Sequence, residues 1–411
     1  MHVQPFFSAA YCSEHRTAAC FSGACPRYLD AWLMTPELCR ELFARGAGPA
    51  DLAVIDGEFQ DRATRCAGGR LETLCEWLDL PRLAVLDASR LGSSLPPPPA
   101  RIDGVLIDCV GSNSQLAQLI LRIETQWEVP VLGSLELLPS LRAELDGISP
   151  GGRPPSDLCH TLGNQLLRTG EPERVVEIAS RTPVTWEHPH LFDKEPSSEN
   201  IVIALGYDEA LNCYFPDMLE LLELRGATIV DFSPLRDEAL PEADVVYLGC
   251  GHPERYGPEL AANECMRLAL RNHLRNGGRI YSEGGGTAYL CQRMETPEGS
   301  YRMAGIFPAV ARLTETDAPP RPVDFAITEP CWLGPPGTPI RGYLDDRWQF
   351  EPAGTLTSCT PDPVAPYAIV KACRAIGSRV HLNFAAQPHL LPTFFRYAPC
   401  ESDTADPWRM T

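Results

Sequence analysis

Short continuous runs of apolar residues alternate with helical patterns along the first 148 residues. Each run ends in a polar or small residue, and clear helical patterns lie at 71–78 and 115–125. Continuous rather than alternating hydrophobicity is typical of strands buried on both faces of a parallel sheet. The predicted strands are 52–57, 83–88, 104–108 and 129–133. This pattern predicts an α/β domain with a mainly parallel sheet flanked by helices.

The same alternation of strand and helix patterns begins again at residue 201. Apolar runs at 201–204, 227–232 and 243–248 predict strands, and a helix predicted at 215–225 ends at Gly226, a typical C-cap. Between the two regions, proline and glycine at 150–155 and 195–198 frame a polar helical stretch at 157–181. We therefore predict an α/β protein of two domains, 1–148 and 201–398, with a linker at 149–200 and a polar tail at 399–411.

The bulk composition supports this division into two domains and excludes some classes of binding partner. A chain of 411 residues is too long for one ordinary hydrophobic core. The net charge of −19 disfavours nucleic-acid binding, because phosphates are neutralised by clustered Lys and Arg. The sequence has no apolar run of bilayer-spanning length, and its first residues do not have the pattern of a signal peptide. We predict a cytoplasmic protein with neither a nucleic-acid nor a membrane partner.

The sixteen cysteines are scattered, and the sequence contains no CxxC pair. Cys12, Cys20 and Cys25 fit no zinc or iron–sulfur spacing, and His188 and His190 lack clear third and fourth ligands. Reduced, mostly buried thiols are the interpretation that we favour, with no metal site.

One stretch, residues 279–290, indicates a specific local structure. An apolar run ends at Tyr281, three glycines follow at 284–286, and an apolar helical pattern begins after them. This predicts a strand, a sharp turn and a helix N-terminus. In α/β enzymes such a turn commonly presents a nucleophile beside free backbone N–H groups. Here the apex of the turn is Gly284, which has no side chain.

Residues 281–290 resemble the Tyr-Ala-Glu-Cys-Gly-Gly-Leu-Met-Tyr-Leu elbow of the cobyrinic acid a,c-diamide synthase family. Further ordered matches in the second half are 212–222 with Tyr-Tyr-Pro-Glu-Asn-Leu-Glu-Leu-Leu, 232–235 with Phe-Ser-Pro-Leu, 249–254 with Gly-Gly-Gly-Tyr-Pro-Glu, and 380–384 with Tyr-Leu-His-Leu-His-Phe. The first half matches more sparsely, at 3–6 with Val-Gln-Pro-Phe, 28–32 with Asn-Leu-Asp-Pro-Trp and 51–57 with Asp-Ile-Ala-Val-Ile-Glu-Gly. The resemblance implies a P-loop-type ATP-binding domain followed by a glutamine amidotransferase domain.

The resemblance also implies a reaction and its residues. In the family, ATP activates a corrin carboxylate as an acyl phosphate, and ammonia released from glutamine by a Cys–His pair attacks it. His381 matches the general base, whereas the nucleophile position is Gly284 and a second family His is Asn383. Gly249, Cys250 and Gly251 match the turn whose N–H groups stabilise an oxyanion. Because glycine cannot form the thioester, the resemblance implies a glutaminase site without its nucleophile.

Two other cysteines lie close to the elbow in the sequence or in the predicted fold. Cys291, on the predicted helix after the elbow, would lie about 10 Å down the helix axis. Cys250 faces the elbow from the opposite turn and is the remaining candidate thiol.

The ATP-binding half departs from the family in its phosphate site. The sequence has no GxxxxGK[ST] motif; in the family the phosphate loop precedes the segment that matches Val3. The family's nucleobase-contacting Asn is Asp108 here. Asp56, Asp87 and Asp108 end predicted strands, where they would either hold Mg²⁺ or cap the following helices. The resemblance implies ATP and Mg²⁺ as the cofactors of the family. We expect this chain to bind neither of them in the way that the family does.

Three functional hypotheses remain open from the sequence. The first, which we favour, is a divergent family member that has lost catalysis at both centres. Such a protein would be a binding or partner subunit for a corrinoid or tetrapyrrole. The second is an active amidoligase that uses free ammonia and has its phosphate loop upstream of the given start. The third is an interaction protein that retains only the fold. An open sheet edge in the first domain would favour a homodimer.

Overall fold

The computed structural model describes residues 1–11, 19, 22–57, 71–92, 94–99, 101–148, 154–181, 191–192, 200–314, 320–360 and 366–396. In the first half these residues form six strands and six helices. In chain order they are β1 (Val3–Phe7), β2 (Arg27–Tyr28), α1 (Pro36–Ala47), β3 (Leu52–Asp56), α2 (Leu71–Leu78), β4 (Leu83–Asp87), β5 (Gly104–Val110), α3 (Asn113–Gln126), β6 (Val131–Glu136), α4 (Pro139–Asp146), α5 (Ser156–Thr169) and α6 (Pro172–Ala179).

The six strands of the first half form two three-stranded sheets, and every pairing in them is parallel. One sheet has the order β2-β1-β3 and the other β4-β5-β6. The described residues give β3 and β4 one neighbouring strand each, and Val54 and Val85 on them are 45% and 66% exposed. The prediction of mainly parallel sheets is confirmed, and the homodimer inferred from open edges stays a prediction.

The second half is richer in strands. Its elements are β7 (Ile201–Gly206), β8 (Leu211–Cys213), α7 (Pro216–Leu224), β9 (Ala227–Phe232), β10 (Val245–Leu248), β11 (Cys250–Gly251), α8 (Gly257–Ala262), α9 (Glu264–Arg275), β12 (Arg279–Glu283), α10 (Gly285–Leu290), β13 (Cys291–Thr296), β14 (Gly299–Arg302), β15 (Phe307–Leu313), β16 (Arg321–Ala326), β17 (Pro339–Leu344), β18 (Trp348–Pro352), β19 (Thr357–Ser358), β20 (Ile369–Ala372), β21 (Ala375–Ser378), β22 (Val380–His381) and α11 (Pro392–Phe395). Two short 3-10 turns lie at Pro253–Tyr256 and Pro388–Leu390.

The main sheet of this half has seven strands in the order β19-β20-β21-β12-β10-β7-β9. Strands β21, β12, β10, β7 and β9 are mutually parallel. At one edge β20 pairs antiparallel with β21, and β19 pairs antiparallel with β20. Because β10 and β12 are parallel neighbours, their carboxyl ends meet at the same edge of the sheet. This places the turn after β10 directly beside the turn after β12.

The first sheet and the second half share one hydrophobic core. Phe6, Tyr28 and Leu42 belong to the same buried cluster as Ile203 and Tyr247. The second sheet, β4-β5-β6, is centred on its own smaller cluster. The division into domains at 148 and 200 stays a prediction, and the sheet β2-β1-β3 packs with residues on the far side of it.

Polar contacts reinforce the same junction. Arg27 forms ion pairs with Asp217, whose side chain is 3% exposed, and with Glu220, both on α7. Asp30 is fully buried and accepts hydrogen bonds from the backbone N–H of Ala10 and from the hydroxyl of Tyr343, the latter at 2.5 Å. The loop after β2 is thus hydrogen-bonded to β17.

Two local predictions were wrong. The helical stretch predicted at 157–181 is two helices, α5 and α6, because Gly170 and Pro172 interrupt it. Cys291 does not lie on the helix after the elbow, since α10 ends at Leu290 and Cys291 begins β13.

Some predictions concern residues outside the described part of the chain. They include Cys12, Cys20, His188, His190 and the whole polar tail at 399–411. Within the described residues, no helix combines the length and apolar character needed to cross a membrane.

Candidate functional site: a glycine elbow in a buried polar cluster

The elbow at Gly284 has the geometry predicted from the sequence. Strand β12 ends at Glu283, Gly284 adopts φ 47° and ψ −113°, and α10 begins at Gly285. The N–H of Gly284 donates to the carbonyl of Ser378 at 2.7 Å, which fixes the turn to the end of β21. A positive φ at this position is costly for residues with a Cβ atom, and enzymes hold nucleophiles in such strained elbows. The strand–turn–helix prediction is confirmed.

The glycine-rich turn after β10 lies against the start of the elbow helix. The N–H of Gly286 donates to the carbonyl of Gly249 at 3.2 Å, and a Cβ on Gly286 would lie 2.5 Å from the carbonyl oxygen of Leu248. Glycine at 286 is therefore required for this close approach. The N–H of Gly249 donates to the hydroxyl of Tyr214 at 3.0 Å, so it is engaged within the turn. Oxyanion stabilisation by Gly249, Cys250 and Gly251 stays a prediction.

Cys250 occupies the space in front of the elbow. It is fully buried, and its Sγ lies 3.2 Å from the position that a Cβ would take on Gly284. The same Sγ lies 3.8 Å from Oε2 of Glu283. The thiol of Cys250 therefore fills the volume into which a side chain at the apex would extend.

Glu283 is a buried carboxyl group behind the elbow. Its Oε1 accepts a hydrogen bond from the Tyr281 hydroxyl at 2.5 Å and a longer one from the N–H of Leu382 at 3.4 Å. Burial raises the pKa of Glu283 to about 7, although the nearby His381 and these hydrogen bonds act to lower it. Glu283 therefore changes its protonation state close to neutral pH.

His381 lies beside a second buried carboxylate, Asp345. The strand pair β17–β22 places them together, with Nε2 of His381 3.7 Å from Oδ2 of Asp345. That same Oδ2 is 3.7 Å from the Cβ position at Gly284. Arg347 donates to both oxygens of Asp345, through Nε at 3.1 and 3.3 Å and Nη2 at 3.0 Å. Although burial acts to raise it, the charge of Arg347 and the contact with His381 hold the pKa of Asp345 well below its usual range.

The cluster extends outward from Arg347. Nη1 of Arg347 lies 3.2 Å from Nδ1 of His252, and His252 contacts Glu254 at 2.8 Å. His252, Asp345 and His381 are all buried, and Arg347 is partly exposed. In this arrangement the guanidinium of Arg347 and the imidazole of His381 both contact the carboxylate of Asp345. They do so beside the elbow, where a thiol nucleophile would be activated.

Sequence reasoning placed Gly284, Cys250 and His381 near one another but missed the ion pair between Asp345 and Arg347. The available signal was the stretch 341–346, which ends in two adjacent acidic residues, Asp345 and Asp346. Asn383 caps the turn that follows it, since its Oδ1 accepts from the N–H groups of Ala385 and Ala386 at 3.0 and 3.2 Å.

The residues proposed for ATP and Mg²⁺ lie apart from this site. Asp56 ends β3 in the first sheet and is exposed, whereas Asp108 lies on β5 in the second sheet and is ion-paired with Arg142. Asp87 lies on β4, where it is the register partner of Asp108 on β5. It accepts hydrogen bonds from the N–H and the hydroxyl of Ser89. Within the described residues, no group of three or more His, Cys, Asp or Glu side chains has the arrangement of a metal site.

Comparison with known proteins gives matches over most of the chain. A family model described as a CobB/CobQ-like glutamine amidotransferase domain matches residues 202–343. The cobyrinate a,c-diamide synthase of Syntrophotalea carbinolica is 30% identical over 405 residues, covering 91% of this chain and 87% of that protein. The enzyme of the same name from Salmonella typhimurium is 27% identical and covers 95% of this chain and 90% of that protein. A solved structure of a glutamine amidotransferase aligns with 47% of this chain and 98% of its own chain, at 14% identity and with a TM-score of 0.35.

Proposed function

The chain belongs to the cobyrinate a,c-diamide synthase family, and we propose that it is a member without glutaminase activity. In this proposal it acts in the cytoplasm as a corrinoid- or tetrapyrrole-binding protein or as a partner subunit of an enzyme in that chemistry. Cobalamin biosynthesis is the pathway that the relatives' names indicate.

The proposal rests on one observation, which is that the elbow carries no nucleophilic side chain at its apex. Its apex is Gly284, and the volume in front of the apex holds the thiol of Cys250. Glutamine hydrolysis through a thioester requires a thiolate at the apex, and glycine supplies none. Removing the nucleophile from such a site usually costs several orders of magnitude in rate, because the remaining groups act only around it.

The electrostatics of the cluster support the same proposal. Asp345 carries its charge 3.7 Å from the Cβ position of the apex, and a nearby negative charge disfavours formation of a thiolate. His381 is in contact with this carboxylate, and Arg347 holds it. A thiolate on a side chain at residue 284 would therefore lie near this carboxylate, whose charge Arg347 offsets in part.

Loss of the family's ATP chemistry is the second part of the proposal. A triphosphate is normally held by a nest of N–H groups and the Lys of GxxxxGK[ST], and the sequence lacks this motif. Asp108, at the position of the nucleobase-contacting Asn, is paired with Arg142 instead. The change at Asp108 favours a binding role over an amidoligase that uses free ammonia.

Two assays on the purified full chain test the proposal. The first measures glutamate release from glutamine and covalent labelling by an electrophilic glutamine analogue, and we expect neither above background. Labelling of the unmodified protein at Cys250 would overturn the inactive site. The second titrates cobyrinic acid and follows the corrin absorption spectrum, with saturable binding expected. A spectrum that stays unchanged up to millimolar protein would contradict the corrinoid-binding role, and amide formation from ammonia and ATP would establish the amidoligase alternative.

A further inference from the structure

An open cleft with a volume of about 930 Å³ lies along helix α5, in the first half of the chain. The described residues that line it are Leu135 on β6 and residues of the segment 154–167. We call it the α5 cleft. Sites for small molecules usually have volumes of about 300–1,000 Å³, and this cleft lies at the upper end of that range. Its size therefore suits a ligand much larger than glutamine.

Helix α5 is a firm support for one wall of the cleft. Leu158 and Gln165 on this helix are buried, so its other side faces the cleft and solvent. Just after the helix, the N–H of Glu171 donates to the carbonyl of Leu132 on β6 at 2.7 Å. The helix is thus attached to the strand that forms the opposite wall.

His160 lines the α5 cleft and is exposed. Its Nδ1 lies 2.6 Å from the carbonyl oxygen of Ser156, one helical turn earlier. Because a carbonyl oxygen only accepts hydrogen bonds, Nδ1 carries the proton, and the neutral imidazole keeps its lone pair on Nε2. Within the described residues, His160 makes no other hydrogen bond or ion pair. A histidine whose Nδ1–H is held by a backbone carbonyl presents Nε2 in the form that ligates metals.

Gly163 leaves space beside this imidazole. It also lines the cleft, and residues three apart on a helix are neighbours on its surface. A Cβ atom added at Gly163 would meet no heavy atom within 4 Å, so no packing contact requires glycine there. Glycine inside a helix is destabilising relative to alanine. One helical turn farther on, Leu167 is 62% exposed and offers an apolar surface to a flat ligand.

A single histidine is too few ligands for a bare metal ion. Among the residues that the structure describes, no three His, Cys, Asp or Glu side chains are grouped as a metal site. A metal held in a tetrapyrrole macrocycle brings its equatorial ligands with it and takes only an axial ligand from the protein. One histidine beside an open, largely apolar surface is sufficient for such a ligand.

The charge of the cleft indicates the side chains of the macrocycle. The described residues that line it include no Lys or Arg, so carboxylates on a ligand would gain no ion pair there. Asn164 lines the cleft and has an amide that can both donate and accept hydrogen bonds. Amide side chains on the ligand suit this surface better than carboxylates.

We propose that the α5 cleft binds a cobalt corrinoid with amidated side chains and no nucleotide base, and that Nε2 of His160 is the axial ligand of its cobalt. This inference rests on the proposed function and gives its ligand a place apart from the elbow. On binding, Nε2 donates its lone pair to cobalt and one axial water leaves. No electron is transferred, and no proton moves.

The probe for this site is aquocobinamide, a corrinoid that has amide side chains and no nucleotide base. It is titrated into the purified full chain and followed by its absorption spectrum, and the complex is then reduced to Co(II) for electron paramagnetic resonance. We expect a saturable spectral shift and cobalt lines that are split by one nitrogen nucleus. Cobyrinic acid, which has carboxylates in place of the amides, should bind more weakly.

Two variants test the residues of the cleft. His160→Gln should weaken cobinamide binding by at least about tenfold, since even the loss of an outer partner of a metal-ligating histidine has an effect of this size. It should also remove the nitrogen splitting. His2→Gln, at another exposed histidine, is the matched control and should change neither. Gly163→Leu should weaken binding by filling the space beside His160, yet it should unfold at no lower urea concentration than the wild type.

The outcomes separate this site from the proposed function. If the wild type binds no corrinoid, both are wrong. If the wild type binds cobinamide and His160→Gln binds it equally well with the same spectrum, the proposed function stands and the α5 cleft is not the site. Haem bound through His160 in preference to cobinamide, or cobyrinic acid bound more tightly than cobinamide, would overturn the assignment of an amidated corrinoid.

Discussion

The Sγ atom of Cys250 lies 3.2 Å from the point where Gly284 would carry a Cβ atom. The two residues follow neighbouring parallel strands, β10 and β12, and so face each other across one sheet edge. A side chain at residue 284 and the thiol at residue 250 therefore compete for the same volume. In a close-packed interior two sulfur atoms cannot both fit there without bonding or displacement.

Gly284→Cys alone should form a disulfide with Cys250. The Cβ position at residue 284 is 3.8 Å from Cβ of Cys250, which is the usual Cβ–Cβ separation across a disulfide. After air oxidation we expect two fewer titratable thiols than the reduced variant has, and a cross-link between peptides 237–255 and 280–293. Gly284→Ser, of similar size, is the control. If the thiols of residues 250 and 284 both stay free after oxidation, the prediction is contradicted and the elbow of the variant has moved.

Restoring a reactive nucleophile should require two substitutions. With Cys250→Gly the volume in front of the elbow is open, so Gly284→Cys in this background should be labelled by an electrophilic glutamine analogue. The charge of Asp345 should keep labelling slow at neutral pH and faster at alkaline pH, because it disfavours the thiolate. Adding Asp345→Asn should accelerate labelling at pH 7. Cys250→Gly alone is the control, and an inert triple variant would mean that the pocket does not admit glutamine.

Glu283→Gln should remove a pH dependence of stability. The pKa of Glu283 is raised to about 7 in the folded protein from an ordinary value of 4.5, so the folded state binds more protons between these values. By linkage, the contribution of Glu283 is fully present below about pH 4.5 and is lost as the pH rises through about 7, a change of about 3 kcal/mol.

The measurement for Glu283 is urea unfolding of wild type and variant at pH 5 and pH 8. Glutamine can still accept from Tyr281 and Leu382, so the wild type should lose stability relative to Glu283→Gln between these pH values. Glu242→Gln, at an exposed position, should show no such difference. Parallel pH profiles for wild type and Glu283→Gln would contradict the raised pKa.

Arg27→Met should destabilise the junction between the first sheet and α7. It leaves Asp217 buried without its cation, and breaking a buried ion pair costs about 3–5 kcal/mol. Replacing both residues by apolar ones should cost less than the sum of the single changes. Arg236→Met breaks an exposed pair with Glu209 and should cost less than about 1 kcal/mol in the same urea unfolding assay. Equal costs for the two arginines would argue against the buried junction.

ATP with Mg²⁺ should bind no more tightly than in the millimolar range, measured by calorimetric titration of the 411-residue chain. The reason is the missing phosphate cradle, which supplies the N–H groups and the Lys that hold a triphosphate. Asp108→Asn, which restores the family's residue type at that position, should not change the result. A micromolar dissociation constant for wild type would reveal a site that neither sequence nor structure indicates.

The sequence predicted the elements of this fold well because their signals are local. The helix at Leu71–Leu78 and the strand at Ala227–Phe232 have the predicted bounds, since apolar runs and glycine or proline stops mark both. The prediction of one continuous helical stretch at 157–181 was wrong, because the polar helical pattern continues across Gly170, where the first helix ends.

The site was less predictable because its contacts join distant parts of the chain. Cys250 and Glu283 are 33 residues apart, and Asp345 meets His381 only through the β17–β22 pair. The resemblance identified three positions of the cluster, but the pairing of Asp345 with Arg347 depends on packing that no local pattern encodes. A charged residue at 345 in place of an apolar one was the only available sign.

The hydrogen bond between Asp30 and Tyr343 spans 313 residues of sequence, and this separation governs when the loop after β2 can bond to β17 during synthesis. At roughly 5–20 residues per second, a ribosome needs about 15–60 seconds to add the intervening chain. Throughout that interval Asp30 cannot form its hydrogen bond with the Tyr343 hydroxyl, whereas Phe215, which packs against Tyr28, is made earlier. We therefore expect chains that end before residue 343 to leave the buried carboxylate of Asp30 without this donor, and to be less stable than the full chain.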